Sequence, residues 1–151
     1  MEISGSGVDA IKARQLAKLV EAVPFDGYQI PYPDKHFDLA LSVHVLEHVE
    51  HERLLLRELK RVATQVFIEV PLENGFNIKK AIAAGLPYGH INYYTPATFL
   101  NLVKTAGLTP IRSKVTTSSL AYEQFVSGKA KGLLKNTVRK TGLSLAPEMA
   151  P

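Results

Sequence analysis

A chain of 151 residues, 46% hydrophobic and 21% charged, has the make-up of one globular domain large enough to bury a single core. The absence of cysteine excludes disulfides, thiolate zinc sites and cysteine nucleophiles, and no apolar run approaches the roughly 20 residues of a membrane span. The net charge of +4 is local: from Gly128 onward Lys129, Lys131, Lys135, Arg139 and Lys140 face Glu148 alone, so residues 1–127 balance at 13 basic and 13 acidic and no nucleic-acid partner is expected.

In chain order, Glu2-Ile3-Ser4 reads as a strand end running into a turn at Gly5-Ser6-Gly7, with Ser6 placed to cap the helix that follows. Val8, Ile11, Leu16, Leu19 and Val20 fit one side of that helix, and Pro24 stops it. Val23-Pro24-Phe25 reads as a second strand end with its turn at Asp26-Gly27. The connection over residues 30–34 is rigid, because three prolines within ten residues forbid a helix. Residues 39–43 read as a buried strand ending in a cleft, with His44, Glu47 and His48 at its carboxyl edge.

Residues 50–62 predict a helix with Leu55, Leu59 and Val62 inward and Arg53, Arg57, Lys60 and Arg61 solvated. Residues 65–70 form the next strand, stopped by Pro71, and strand–helix–strand is the signature of a parallel sheet covered by helices. Residues 72–92 read as a long loop with a helical turn around 77–84. Thr95-Pro96 opens a helix that buries Phe99, Leu102, Val103 and Ala106 and ends at Gly107. Residues 108–117 read as an edge strand and 120–126 as a further short strand. The basic tail from Gly128 reads as a helix fraying into Pro147 and Pro151. The expected organisation is an α/β domain over residues 1–127 and a basic helix or tail over 128–151. With no signal peptide at the start, cytoplasmic location is the default.

Two motifs compete for the polar cluster after the third strand. His44-Val45-Leu46-Glu47-His48 spells H-x-x-E-H, the zinc signature of the inverzincin peptidases. That chemistry needs both histidines on one continuous helix and a third ligand nearby, whereas His44 directly follows an apolar strand. Zinc-dependent hydrolysis through His44, Glu47 and His48 stays an alternative, and no residue is assigned to a metal.

The second reading takes in more residues. Phe37-Asp38-Leu39, Ser42 and Leu46-Glu47-His48-Val49 together resemble the fourth strand of S-adenosylmethionine-dependent methyltransferases of the Rossmann-like class, in particular the type 11 small-molecule group. Asp26-Gly27 looks like the family's acidic contact to the adenine amino group, and Glu69-Val70-Pro71 like the end of its fifth strand. The stretch 90–107 looks like the one in which a histidine and aromatics precede a helix ending in Ala-Gly. The resemblance covers residues 2–117 and implies a Rossmann-like, mostly parallel sheet with flanking helices. It also implies S-adenosylmethionine as cofactor and a small-molecule methyl acceptor.

Residue by residue, the resemblance assigns Glu2 to the ribose hydroxyls, Asp26 and Gly27 to the adenine, and Ser42, His44 and His48 to the cofactor rim. His90 is its candidate general base. It also implies that the chain starts at the end of the family's second strand, leaving the fold incomplete in its N-terminal half, without the first strand and glycine-rich loop. Gly5 and Gly7 follow the acidic residue and are misplaced to substitute for that loop.

Each residue keeps a plainer reading. Glu2 is a terminal charge, Asp26 a turn former, and His48 a helix-packing residue. His44 is a satisfied histidine at a strand edge, and Tyr93 and Tyr94 are packing residues. Methyl transfer can proceed on proximity and orientation alone, without a base. For the tail, with Leu133, Leu134, Val138 and Leu143 among lysines, a solvated helix is preferred and contact with an anionic membrane surface is the alternative. Three functions stand: an active methyltransferase, a degenerate non-catalytic domain of that family, and a zinc hydrolase.

Overall fold

The computed structural model describes residues 1–73 and 78–145, the side chains of 142–145 excepted. Its centre is a parallel pair of strands, β1 (Phe37–Val43) and β2 (Ala63–Glu69), joined by helix α2 (Glu52–Val62). The register runs from Phe37 opposite Ala63 to Val43 opposite Glu69. The expected strand–helix–strand unit is therefore present, and its parallel pairing needs such a crossover.

The strand expected to be buried is covered on one face only. Ala40 and Ser42 of β1 and Val66 and Ile68 of β2 turn toward the core, while Leu39, Leu41, Val43 and Phe67 are 50%, 65%, 45% and 49% exposed. Side chains alternate across a strand, so one face of a pair can be buried while the other stays open. Among the described residues the sheet has these two strands, and β1 is paired on one side. The fold is α/β with a small parallel sheet and flanking helices, an incomplete Rossmann-like arrangement.

The core beneath the covered face is built by α2, which buries Leu55, Leu56, Leu59 and Val62. It is completed by Ile30, Leu46, Tyr94 and, from α4 (Pro96–Thr105), Leu102. Helix α4 begins as expected, with Thr95 accepting from the Thr98 amide and Thr98 returning a bond to the Thr95 amide, a reciprocal cap.

The α2 cations expected to be solvated are mostly engaged. Arg61 grips Glu58 with two nitrogens at 2.8 Å and reaches the carbonyls of Tyr32 at 2.8 Å and Ile30 at 2.9 Å. Lys60 donates to the Gly107 carbonyl at 2.7 Å, and Arg53 to the Thr105 hydroxyl at 3.2 Å. The proline-rich connector has carbonyls with no secondary structure of its own to satisfy them, and the guanidinium supplies five donors in one fork.

At the amino end, the predicted helix is shorter and its cap differs. Helix α1 spans Gly5–Ala13, and Ser4, not Ser6, caps it by accepting from the Gly7 amide at 3.0 Å. The helix stops because Gln15 takes a left-handed φ of 47°, so Leu16, Leu19 and Val20 lie beyond it and are exposed. Gly7 is needed for close approach, since a Cβ there would stand 2.5 Å from Glu2 Cγ. In place of two strand ends there is one parallel bridge between Glu2 and Pro24.

Helix α3 (Ile78–Gly85) matches the expected turn within the long loop. The strand expected over 108–117 is irregular chain, and the one expected over 120–126 is helix α5 (Leu120–Ser127). Ser119 caps it by accepting from the Tyr122 amide at 3.1 Å, and the helix packs on α6 (Lys129–Leu145). Pairing is close because Gly132 has no Cβ to strike the α5 backbone, and Arg139 binds the buried Glu123. Leu133, Leu134 and Val138 of α6 are exposed, and no described helix is long and apolar enough to cross a membrane. The fraying expected at Pro147 and Pro151 lies outside the described residues.

Candidate functional site

The site grows from the carboxyl end of β1, the side of a parallel sheet on which ligands bind. His44 follows the strand with its amide still bonded to the Glu69 carbonyl at 3.0 Å, but its φ is +52°. A non-glycine residue in the left-handed region is held there against its preference, which turns the chain sharply out of the sheet. The turn Leu46–His48 follows, anchored by Leu46, which is fully buried.

A second segment straps this turn in place. The amides of Ile91 and Asn92 donate to the Glu47 carbonyl at 2.8 and 3.1 Å, and the Asn92 side chain donates to the carbonyls of Leu46 and Val49 at 2.9 and 2.7 Å. The Tyr94 hydroxyl lies 3.0 Å from the Leu46 carbonyl and 3.3 Å from the Glu52 carboxylate. Burial, then the nearby Glu52 charge, push the Tyr94 phenol above its ordinary range. Tyr94 is thus a packing residue, as expected. Sequence reasoning missed Asn92 and Glu73, because neither carries a local spacing signal.

The strap brings His90 edge-on to His48, with ring centroids 4.9 Å apart. His90 Nδ1 lies 2.8 Å from Glu73 Oε2, and His48 Nδ1 lies 3.2 Å from the Gly89 carbonyl. Between them Glu47 is wholly buried. Its Oε1 is 3.1 Å from His44 Nδ1 and 3.9 Å from His48 Nε2, while Oε2 has no hydrogen-bond partner among the described residues. The hydroxyl of Ser42, which lies in β1 two residues before His44, is buried and equally without a partner among the described residues.

Of the residues expected at a cofactor site, His44 and His48 both reach Glu47, with Ser42 in the same strand end, and His90, the expected base, packs on His48. Glu2 and Asp26 form a separate group, with no hydrogen bond or ion pair joining the two groups among the described residues. The Phe25 amide donates to the Glu2 carbonyl at 3.1 Å, which sets Glu2 beside the Asp26 turn. Asp26 Oδ1 accepts from the amides of Gln29 at 2.6 Å and Tyr28 at 2.8 Å. Those amides, Gln29 first, hold its carboxyl below the ordinary range, and Gly27 supplies the turn's φ of 91°. Glu2 is lowered likewise, chiefly by the Ser4 amide bonded to its Oε1 at 3.1 Å. The plainer turn-forming reading of Asp26 therefore describes its contacts.

The peptidase signature loses its structural basis here. His44 sits on a left-handed corner and His48 in a short 3-10 turn, so no continuous α-helix carries both. The resemblance to methyltransferases has independent support. A stretch of 38 residues is 47% identical to ajmaline N-methyltransferase of Rauvolfia serpentina, and covers 25% of this chain and 13% of that enzyme's length. A family model described as a methyltransferase domain matches residues 3–113, running from the Glu2–Pro24 bridge region through both strands and α4. Matched across most of its length, the chain belongs to the methyltransferase domain family.

Proposed function

We propose that the domain transfers a methyl group from S-adenosylmethionine to a small-molecule acceptor at the carboxyl end of β1. The observation that carries this reading is the pair of buried polar groups without partners, Ser42 Oγ and Glu47 Oε2, at that strand end. Buried polar atoms are nearly always satisfied, so two groups without partners among the described residues, both near one strand end, fit a surface built to meet a polar ligand. A sulfonium methyl is the chemistry such a cofactor supplies when bound.

The chain's own residues would hold and orient. Glu2 and Asp26 carry carboxylates fixed by backbone amides, suited to ribose hydroxyls and an adenine amino group, with Gly27 permitting close approach. Ser42, His44 and His48 line the rim. His90 is the proton acceptor: its Nδ1–H donates to Glu73, which orients the ring and makes Nε2 the nitrogen that would take the proton. A second reading, a domain that keeps the fold but binds the cofactor poorly, is favoured by the one-sided pairing of β1.

Calorimetric titration with S-adenosylhomocysteine separates the two. Saturable 1:1 binding, weakened at least about tenfold by Asp26→Ala, supports the cofactor site, as expected for loss of a charge-assisted contact. No heat from a folded sample would overturn it in favour of the non-catalytic reading.

A further inference from the structure

We infer that Glu47, His48 and His90 form a binding site for a divalent transition-metal ion of the zinc class. One donor atom from each lies within 4.8 Å of the other two. Donors held about 2.1 Å from one ion stand roughly 3–4 Å apart, so a small side-chain rotation closes the set.

The protonation pattern of the two imidazoles fits ligation. A carbonyl can only accept, so the 3.2 Å contact to Gly89 places a proton on His48 Nδ1 and leaves Nε2, 3.9 Å from Glu47 Oε1, as the nitrogen that can ligate. The Glu73 carboxylate at 2.8 Å does the same for His90. Metal-bound histidines characteristically give their outer N–H to a carboxylate or a backbone carbonyl, and both arrangements occur here. Gly89 reaches this position in a left-handed conformation, with φ of 79°.

Glu47 supplies a separate argument. Its side chain is 1% exposed, His44 holds one oxygen, and the other has no partner among the described residues. A buried carboxylate oxygen left bare is costly, and a cation is the partner that removes that cost. Two imidazoles and one carboxylate suit Zn²⁺ or Co²⁺, whereas Mg²⁺ and Ca²⁺ prefer all-oxygen shells. His48 is exposed, which gives an ion a route in. The set differs from the peptidase pair, since it replaces His44 with His90 from the strap. It shares His48, His90 and the bare oxygen of Glu47 with the site proposed for methyl transfer, and its test reads metal uptake alone. The ion and a proton compete for the same lone pair of His90, so the loaded protein lacks that base.

The test uses the full chain, stripped with chelator and titrated with Zn²⁺ by calorimetry and with Co²⁺ by visible absorption. One ion per chain is expected, with ligand-field bands for Co²⁺. Glu47→Gln and His90→Ala should each weaken binding at least about tenfold, and Glu73→Gln, which removes an outer partner, about 10–100-fold. A His36→Ala/His51→Ala variant, altered at two histidines outside the cluster and leaving His44, which bonds Glu47, in place, should bind as tightly as the parent. Far-UV circular dichroism checks each fold, and the exposed His48→Ala serves if Glu47→Gln unfolds. Absence of stoichiometric uptake by the parent would overturn the site. So would affinity that is indifferent to His90→Ala and His48→Ala, or that falls with the outlying pair, because surface histidines would then be the binders.

Discussion

Ser42 carries a hydroxyl that is buried without a hydrogen-bond partner among the described residues, so the fold bears its desolvation unrelieved. Ser42→Ala removes that burden and leaves the volume nearly unchanged. It is expected to stabilise the domain by about 1 kcal/mol, the size usual for an unsatisfied buried polar group, read as a higher urea midpoint with an unchanged slope. If the hydroxyl meets cofactor, the same variant binds S-adenosylhomocysteine more weakly, a gain in stability at the expense of function. A lower midpoint would show that the hydroxyl makes a contact that stabilises the fold. The grouping of Ser42, His44, Glu47 and His48 was visible in the sequence because they sit within seven positions of one another at a strand end. Their true neighbours were not, since His90 and Glu73 reach the site through a strap whose path depends on Asn92 and Tyr94 bonding to a distant turn.

At the scale of elements, the sequence was most legible where local chemistry decides: the Thr95-Pro96 start of α4, the apolar stripe of α2, and the Pro71 stop after β2. It misled where tertiary contacts decide. The stretch 120–126, expected as a strand, forms a helix because Ser119 caps it and α6 offers a surface, and the expected strand after Gly107 has no neighbour to pair with among the described residues. Arg61 reads as a solvated helix cation, yet it links the proline connector to α2. Its bidentate bond to Glu58, with the Ile30 amide assisting, holds the Glu58 carboxyl below its ordinary value of 4.5. A carboxylate with a lowered folded value contributes stability that is fully present above 4.5 and is lost as pH falls through that lowered value. Glu2 and Asp26, lowered by backbone amides, act with the same sign. Urea midpoints are therefore expected to fall below about pH 4.5, and Glu58→Gln should flatten that dependence while lowering stability at pH 7. An unchanged acid limb in Glu58→Gln would place the acid sensitivity elsewhere.

At the scale of the whole molecule, the sheet poses the main physical problem. Strand β1 has a backbone edge with no partner strand among the described residues, and Leu39, Leu41, Val43 and Phe67 share an open face beside it. An unpaired edge flanked by apolar side chains is a template for association, and natural edges are usually blunted by charge, proline or a covering element. Along this strand the one charged side chain is Asp38, which alternation places on the core-facing side, and on the open face Glu69 of β2 puts a charge at one end only, opposite Val43. The isolated chain is expected to self-associate reversibly as concentration rises, seen by sedimentation velocity as a growing sedimentation coefficient. Leu41→Lys places a charge at the centre of that face, at a position already 65% exposed, and so should change stability by less than about 0.5 kcal/mol. It should nevertheless suppress the association, because a second open face cannot bury an unpaired lysine without cost. A chain that stays monomeric at high concentration, or a Leu41→Lys variant that associates as strongly as the parent, would show that this face is not the contact.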